Sequence, residues 1–301
     1  MLDITAIILT FNEEIHIRRC LDGITDVVKE VYLIDCFSSD RTVDIAKEYK
    51  NVRILQNKWE NSHAKQFNWA LDNAEIKTKW VLKLDADEYL TDQLKEELAV
   101  NLPVLNDNIT GLVIPLRRVF LGRIIKKGMP KINLLRIFQY GVGRSEVRLM
   151  DEHIELKYGS TLLLKNEFAD DNLNDLSWWT KKHIGYAIRE ATDLLDIEFN
   201  LTGAGIHDNN ILISKQAKAK RNIKHKYVNM PLFWRCFAYF IYRYFIKLGF
   251  LEGKEGFLWH FLQGWWYRTL VDAKIFEIKK ACGNDRNKII AYLNSHYDIK
   301  I

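Results

Sequence analysis

The chain has 301 residues, 48% of them hydrophobic and 28% charged, which excludes wholesale disorder and leaves ample material for a buried core. Its net charge of +5 suits a phosphorylated ligand or an anionic membrane surface and is too small to argue for nucleic acid. Four widely spaced cysteines (Cys20, Cys36, Cys236, Cys282) contain no C-x-x-C pair, which speaks against a zinc site and a disulfide framework.

The N-terminus, MLDITAIILTFNEE, has neither the basic leader nor the small-residue cleavage site of a signal peptide, so a cytoplasmic location is expected. Short apolar runs at residues 4–9, 31–34, 52–55 and 80–84 read as buried strands. Helical patterns at residues 13–21, 38–50, 62–74 and 91–102 alternate with them. This alternation predicts right-handed βαβ units, an α/β fold and a parallel sheet with helices on both faces. Ligands of such sheets bind beyond the carboxyl ends of the strands. Thr10-Phe11-Asn12-Glu13, Asp35 and Asp85-Ala86-Asp87 all fall at such ends and should gather on one edge.

The middle of the chain differs. GLVIPLRRVFLG and NLLRIFQYG resemble two antiparallel strands, EVRLMDEHIEL and YGSTLLLKNEF follow, and a long helix is expected at about residues 174–195. From about residue 224 the chain turns aromatic, with MPLFWRCFAYFIYRYFIKLGFL and then FLWHFLQGWWYRTLVDAKIFEIKK. The first segment is long enough to cross a membrane, but Arg235, Arg243 and Lys247 lie within it. On a helical wheel Arg243 falls about 80° and Lys247 about 120° from Arg235. A shared basic face beside Trp, Phe and Tyr predicts a helix lying in the membrane interface; packing against the rest of the chain or a twin subunit is the alternative.

The candidate chemistry starts from Asp85-Ala86-Asp87. Side chains alternate along a strand, so the two acids are expected to point the same way and to need a cation between them. Mn²⁺ or Mg²⁺ takes carboxylate and phosphate oxygens together, which would make a bridged diphosphate a good leaving group. Asp35 could accept from a base N–H or a ribose hydroxyl, since Asp40 and the neighbouring serines can cap the next helix and leave it free. The loop Thr10–Glu13 offers backbone groups, Asn12 and one acid to the same nucleoside. Lys65 opens the third helix and could neutralise a phosphate.

ILTFNEE, LIDCFSSDRT, HAKQFNWAL and WVLKLDADE, in this order and spacing, resemble the family 2 glycosyltransferases of GT-A fold over roughly residues 3–200. The resemblance implies inverting transfer of a sugar from a nucleoside diphosphate, a UDP-sugar being the expected donor. It matches Thr10 and Glu13 to the nucleoside loop, Asp35 to the base-binding acid, Asp85 to the acid near the ribose and Asp87 to the metal ligand. One position departs from the pattern: the Arg or Lys often found before the Asn of the third motif is Phe67 here, which shifts the phosphate contact to Lys65. Asp151-Glu152-His153 matches the place of the catalytic base, with Glu152 the first choice, Asp151 the second, and His153 a further metal ligand or an orienting group. The later segments look like bacterial members that build lipopolysaccharide core, capsule or exopolysaccharide. The expected organisation is a catalytic domain over residues 1–223, with a nucleotide-sugar half to about 110 and an acceptor half after it, and a helical membrane-associating region over 224–301. The expected acceptor is a glycan on a polyprenyl diphosphate or another lipid; transfer directly to polyprenyl phosphate and a non-catalytic membrane scaffold are the alternatives, and a homodimer is compatible with either. A sugar-nucleotide synthesising transferase would want a Gly-rich, basic N-terminal loop, which Thr10–Glu13 is not.

Overall fold

The computed structural model describes residues 1–147, 152–203 and 227–300. They form two compact units: residues 1–125 with 131–173, and residues 126–130 with 174–203 and 227–300. The boundary expected at 223/224 lies outside the described residues, as does Asp151.

The first unit is built on strands β1 (Leu2–Thr10), β2 (Val28–Asp35), β3 (Val52–Gln56), β4 (Trp80–Asp85), β5 (Glu88–Leu90), β6 (Ile109–Phe120), β7 (Arg123–Ile124), β8 (Asn133–Gln139), β9 (Gly143–Ser145), β10 (Ile154–Leu156), β11 (Ser160–Leu163) and β12 (Phe168–Asp171). Helices α1 (Glu14–Asp22), α2 (Thr42–Ala46), α3 (His63–Asn73) and α4 (Asp92–Asn101) connect the early strands. The main sheet runs β3-β2-β1-β4-β8-β6-β12-β5, with β7 and β11 also paired to β6. Its first four strands are parallel. β8 then runs antiparallel to both β4 and β6, as GLVIPLRRVFLG and NLLRIFQYG led one to expect.

The parallel half forms because its strands are apolar on both faces. Ile4, Ala6 and Ile8 of β1 pack in one core with Ile17 and Leu21 of α1 and Leu94 and Leu98 of α4. Ile7, one residue out of phase, packs in a second core with Phe67, Ala70 and Leu71 of α3. Each of the Ile, Leu and Phe side chains contributes about 1.5–3 kcal/mol by leaving water. The helices are fixed at their starts: Ser62 accepts from the Lys65 N–H at 3.2 Å and Thr91 from the Leu94 N–H at 3.3 Å.

The second unit is helical. Its helices are α5 (Leu176–Phe199), α6 (Trp234–Ile241), α7 (Gly253–Trp259), α8 (Tyr267–Cys282) and α9 (Arg286–Tyr297); π-helical turns at Tyr242–Ile246 and His260–Trp266 and a 3₁₀ turn at Gly249–Glu252 link α6, α7 and α8. Ala187, Ala191, Leu194 and Leu195 of α5 pack on Val271, Ile275 and Ile278 of α8 and on Ile289 and Leu293 of α9.

The basic face expected of the tail does not form. Arg235 is buried, and its Nε donates to both carboxylate oxygens of Asp272 at 2.9 and 3.0 Å. Arg243 is also buried and donates to the Gly128 carbonyl at 3.3 Å. Lys247 alone of the three is exposed. Two causes defeat the wheel: a partner 37 residues away draws Arg235 inward, and the π-helical turn at Tyr242–Ile246 breaks the 100° step on which the wheel rests. His260 is buried against Gly128 and Gly249. A Cβ on Gly128 would stand 2.1 Å from the His260 ring, and the Gly128 φ of +77° disfavours any other residue in any case. Burial, reinforced by Arg243, holds the imidazole pKa down at about 4.

Candidate active site

Strand register brings the candidate nucleoside residues to one edge. Thr10 pairs with Asp35 across β1 and β2, and Leu9 pairs with Asp85 across β1 and β4. The Thr10 hydroxyl donates to Asp35 Oδ1 at 3.2 Å. Asp35 is fully buried and also accepts from the backbone N–H of Ser38 at 2.9 Å and from its hydroxyl. It is therefore not left free: it shapes the turn through Phe37, whose φ is +61°. The Asn12 N–H donates to the Ser38 hydroxyl at 2.9 Å, and Asn12 Oδ1 accepts from the Ser39 N–H at 2.8 Å, so the two loops are stitched together.

Glu13 accepts from His16 Nδ1 at 2.6 Å. His16 is fully buried, and its Nε2 accepts from the backbone N–H of Leu173 at 2.9 Å. A backbone N–H can only donate, so the ring proton sits on Nδ1, facing Glu13. One imidazole thus ties the nucleoside loop to the segment after β12. That segment also holds Asp87: Asn172 donates to Asp87 Oδ2 at 2.9 Å, and the Asp171 N–H donates to the Asp87 carbonyl at 3.1 Å. Arg19 braces it by an ion pair with Asp171 at 2.7 Å.

Asp85 ends β4 half-exposed. Burial works against its ionisation, but Arg136, Lys83 and His63 outweigh it and hold the carboxyl at about 2. Arg136 donates to Asp85 Oδ2 at 3.3 Å and to the buried Glu88. Burial pushes Glu88 well up, against the pull of Arg136 and with the repulsion of Asp85 behind it. The result is one ionised acid aimed outward and one inward acid biased toward its neutral form, with an arginine between them. Lys83, two residues earlier on β4, lies against the Phe67 ring at 5.1 Å. Burial lowers its pKa, while Asp85 and Glu152 raise it, so the same ammonium senses both acids.

Glu152 and His153 precede β10, half-buried. Their segment is anchored by Asn68 of α3, whose amide accepts from the Ser145 N–H at 2.9 Å and donates to the Ser145 carbonyl at 2.8 Å. The Glu146 N–H then donates to the His153 carbonyl at 2.8 Å.

The glycosyl transferase family 2 model matches residues 5–153, a span that contains every residue named above except those of the β12 segment. Residues 5–153 form a glycosyl transferase family 2 domain. The chain is 32% identical over 97 residues to the SPbeta prophage-derived glycosyltransferase SunS of Bacillus subtilis (strain 168), covering 32% of this chain and 22% of that protein. An uncharacterized glycosyltransferase of Rickettsia typhi (strain ATCC VR-144 / Wilmington) is 25% identical over 310 aligned positions, covering 100% of this chain and 95% of its own. Among solved structures, TarS 1-349 of S. aureus matches at 16% identity and a TM-score of 0.41, covering 94% of this chain and 92% of that one. The mannosyltransferase PcManGT of Pyrobaculum calidifontis, in complex with GDP-Man and Mn2+, matches at 14% identity and a TM-score of 0.48, covering 91% and 87%. Likenesses this loose transfer no residue and no substrate.

Within the family 2 domain, Thr10, Asn12, Glu13, Asp35 and Asp85 stand where strand order placed them. Asp87 does not share the face of Asp85 through strand alternation. β4 ends at Asp85, Ala86 and Asp87 form a turn, and the two carboxylates engage different partners, Arg136 and Asn172. Among the described residues no group of three His, Cys, Asp or Glu is gathered as a ready-made metal site. Two acids still suit Mg²⁺ or Mn²⁺, which take one or two carboxylates and complete their shell with water and substrate phosphate. Lys65 is exposed and inclines toward Glu60 at 3.7 Å. Lys83 and His63 are the basic groups near Asp85, and Arg136, His16 and Asn172 position the acids; reading the sequence missed all five. Lys83 and Arg136 had left a signal, each being a lone cation inside an apolar strand run, WVLKL and NLLRIF.

Proposed function

We propose that the chain is an inverting glycosyltransferase that moves a sugar from a nucleoside-diphosphate-sugar, a UDP-sugar in our reading, to a lipid-linked glycan during synthesis of a bacterial surface polysaccharide. The observation that carries this reading is the register that sets the half-exposed Asp85 beside Thr10 and its loop at the carboxyl edge of the parallel strands. The loop of Thr10, Asn12 and Glu13 receives the nucleoside beside the turn that Asp35 shapes, and Asp85 takes a ribose hydroxyl. Asp87, with Asp85, would hold Mn²⁺ or Mg²⁺, which when bound neutralises charge developing on the diphosphate. Lys83 supplies positive charge beside Asp85.

Glu152 takes the proton of the acceptor hydroxyl as its oxygen bonds to the anomeric carbon. The bond from that carbon to the diphosphate oxygen breaks on the opposite face, and the nucleoside diphosphate leaves with the bonding pair. One bond forms, one breaks, and the anomeric configuration inverts. The acceptor in this reading is a polyprenyl-diphosphate-linked glycan at the inner face of the cell membrane.

Glu152→Gln tests the assignment: donor binding by calorimetry should persist while transfer falls by about 10²-fold or more. Turnover retained in this variant would remove Glu152 from the role and leave Asp151 to carry it.

A further inference from the structure

Among the described residues no helix is long and apolar enough to cross a membrane. Yet the second unit exposes large apolar side chains in one short stretch: Phe245 (52% exposed), Ile246 (67%), Leu248, Phe250 and Leu251. The rings among them are gathered together, since Phe245, Phe250 and the neighbouring Phe257 all stand within 6.3 Å, centroid to centroid, of the Tyr244 ring. Isolated exposed apolar residues need no explanation, whereas a cluster of aromatic and branched side chains on a π-helical and a 3₁₀ turn does.

Its charged surroundings are mostly basic, Glu255 being the one partly exposed acid within residues 242–257. The sequence carries no acid from residue 227 to 251. The first one, Glu252, is buried, and its Oε1 accepts from the backbone N–H groups of Lys126 and Lys127 at 3.1 and 2.7 Å. That contact spends the carboxylate on backbone and turns two exposed lysines outward beside the 3₁₀ turn. Lys247 joins them, its carbonyl accepting from the Gly128 N–H at 3.0 Å, and Lys254 follows two residues after Glu252; both are exposed. Bulky apolar side chains beside four exposed lysines, with Glu252 withdrawn and Glu255 the one acid left partly exposed, complement an anionic bilayer, where rings enter the headgroup boundary and ammonium groups meet phosphates.

We infer that the edge formed by residues 242–257 enters an anionic bilayer surface, with Phe245, Ile246, Phe250 and Leu251 in the headgroup boundary and Lys126, Lys127, Lys247 and Lys254 on lipid phosphates. The buried Arg235 and Arg243 take no part; they hold the helices beneath this edge. The inference does not depend on donor chemistry or on a lipid-linked acceptor.

The test is flotation of the full chain with vesicles of phosphatidylcholine alone and of phosphatidylcholine mixed with phosphatidylglycerol, without substrate. Binding to the mixed vesicles, weakened by salt, is expected. Ile246→Asp with Phe250→Asp should weaken it at least about tenfold, because two charges would enter the boundary. Lys126→Glu with Lys127→Glu should weaken it about fivefold or more per lysine. The substituted side chains are exposed, and an unchanged melting temperature and far-UV circular dichroism confirm that each variant is folded. Equal binding to both vesicle types, equal binding by the variants, or a dimer in light scattering that Ile246→Asp with Phe250→Asp turns into monomer would each overturn the inference, the last by giving the edge to a second copy.

Discussion

In the first unit Asp85 ends a strand half-exposed, between Arg136, Lys83 and His63. In the second unit Asp272 is sealed against Arg235, and both side chains are buried. Both are carboxylates answered by arginine, but they serve different ends. Asp272 meets Arg235 Nε, the Cys236 thiol and the Phe233 N–H, and its capacity is spent inside the unit. Asp85 is charged, reachable and only loosely held by its 3.3 Å contact. A structural acid consumes its hydrogen bonds at home, and a binding acid keeps some to offer.

Breaking the sealed pair should have the largest effect. Arg235→Ala should destabilise the protein by about 3–5 kcal/mol, because it strands a buried Asp272; Arg235→Met with Asp272→Leu should cost far less. Chemical denaturation measures both, and equal losses would mean that packing, not charge, governs this spot.

The second unit should also carry an acid limb. His260 is held near 4 in the fold against an ordinary value of 6.5, so the unfolded chain binds the proton more readily. Its contribution is therefore complete above about pH 6.5 and is lost as pH falls toward 4, a difference of about 3 kcal/mol. Melting temperature against pH should show this fall, and His260→Gln should flatten it.

Two smaller effects sharpen the contrast on the binding side. Asn68→Ala removes two hydrogen bonds to Ser145 and should cost about 1–2 kcal/mol, lowering transfer more than UDP affinity, because it frees the segment that carries Glu152. Lys83→Met should weaken UDP binding about tenfold, and Lys65→Ala by less than about twofold, since a cation beside Asp85 acts at short range and an exposed one is screened. Calorimetric titration of UDP ranks the two, and a reversed order would return the phosphate contact to α3.

The parallel half was legible because its cause is local. ITAIIL and WVLKL are apolar on both faces, and a strand so buried must end where polar residues begin, which located Thr10, Asp35 and Asp85 on one edge. What stayed hidden depends on distant partners or on exact ends. Alternation would align Asp87 with Asp85 only if β4 continued, yet its pairing with β1 stops at Leu9 and Asp85. Asp35 was free on paper because Thr10 and Ser38 reach it only after two loops close. The helical wheel could not see Asp272, 37 residues beyond Arg235, and it assumed an α-helical step across a π-helical turn. His16 joins Glu13 to Leu173, 157 residues apart from the ring, and no spacing rule reaches that far.

The central claim is that the edge of Asp85 and Asp87 holds a nucleoside diphosphate through a divalent cation. UDP-induced thermal shift, read in Mn²⁺, in EDTA and in Asp87→Ala with Mn²⁺, tests it most directly. A clear rise in melting temperature is expected for the unaltered chain in Mn²⁺ and a far smaller one in the other two conditions. Equal shifts in all three, or none in Mn²⁺, would contradict it.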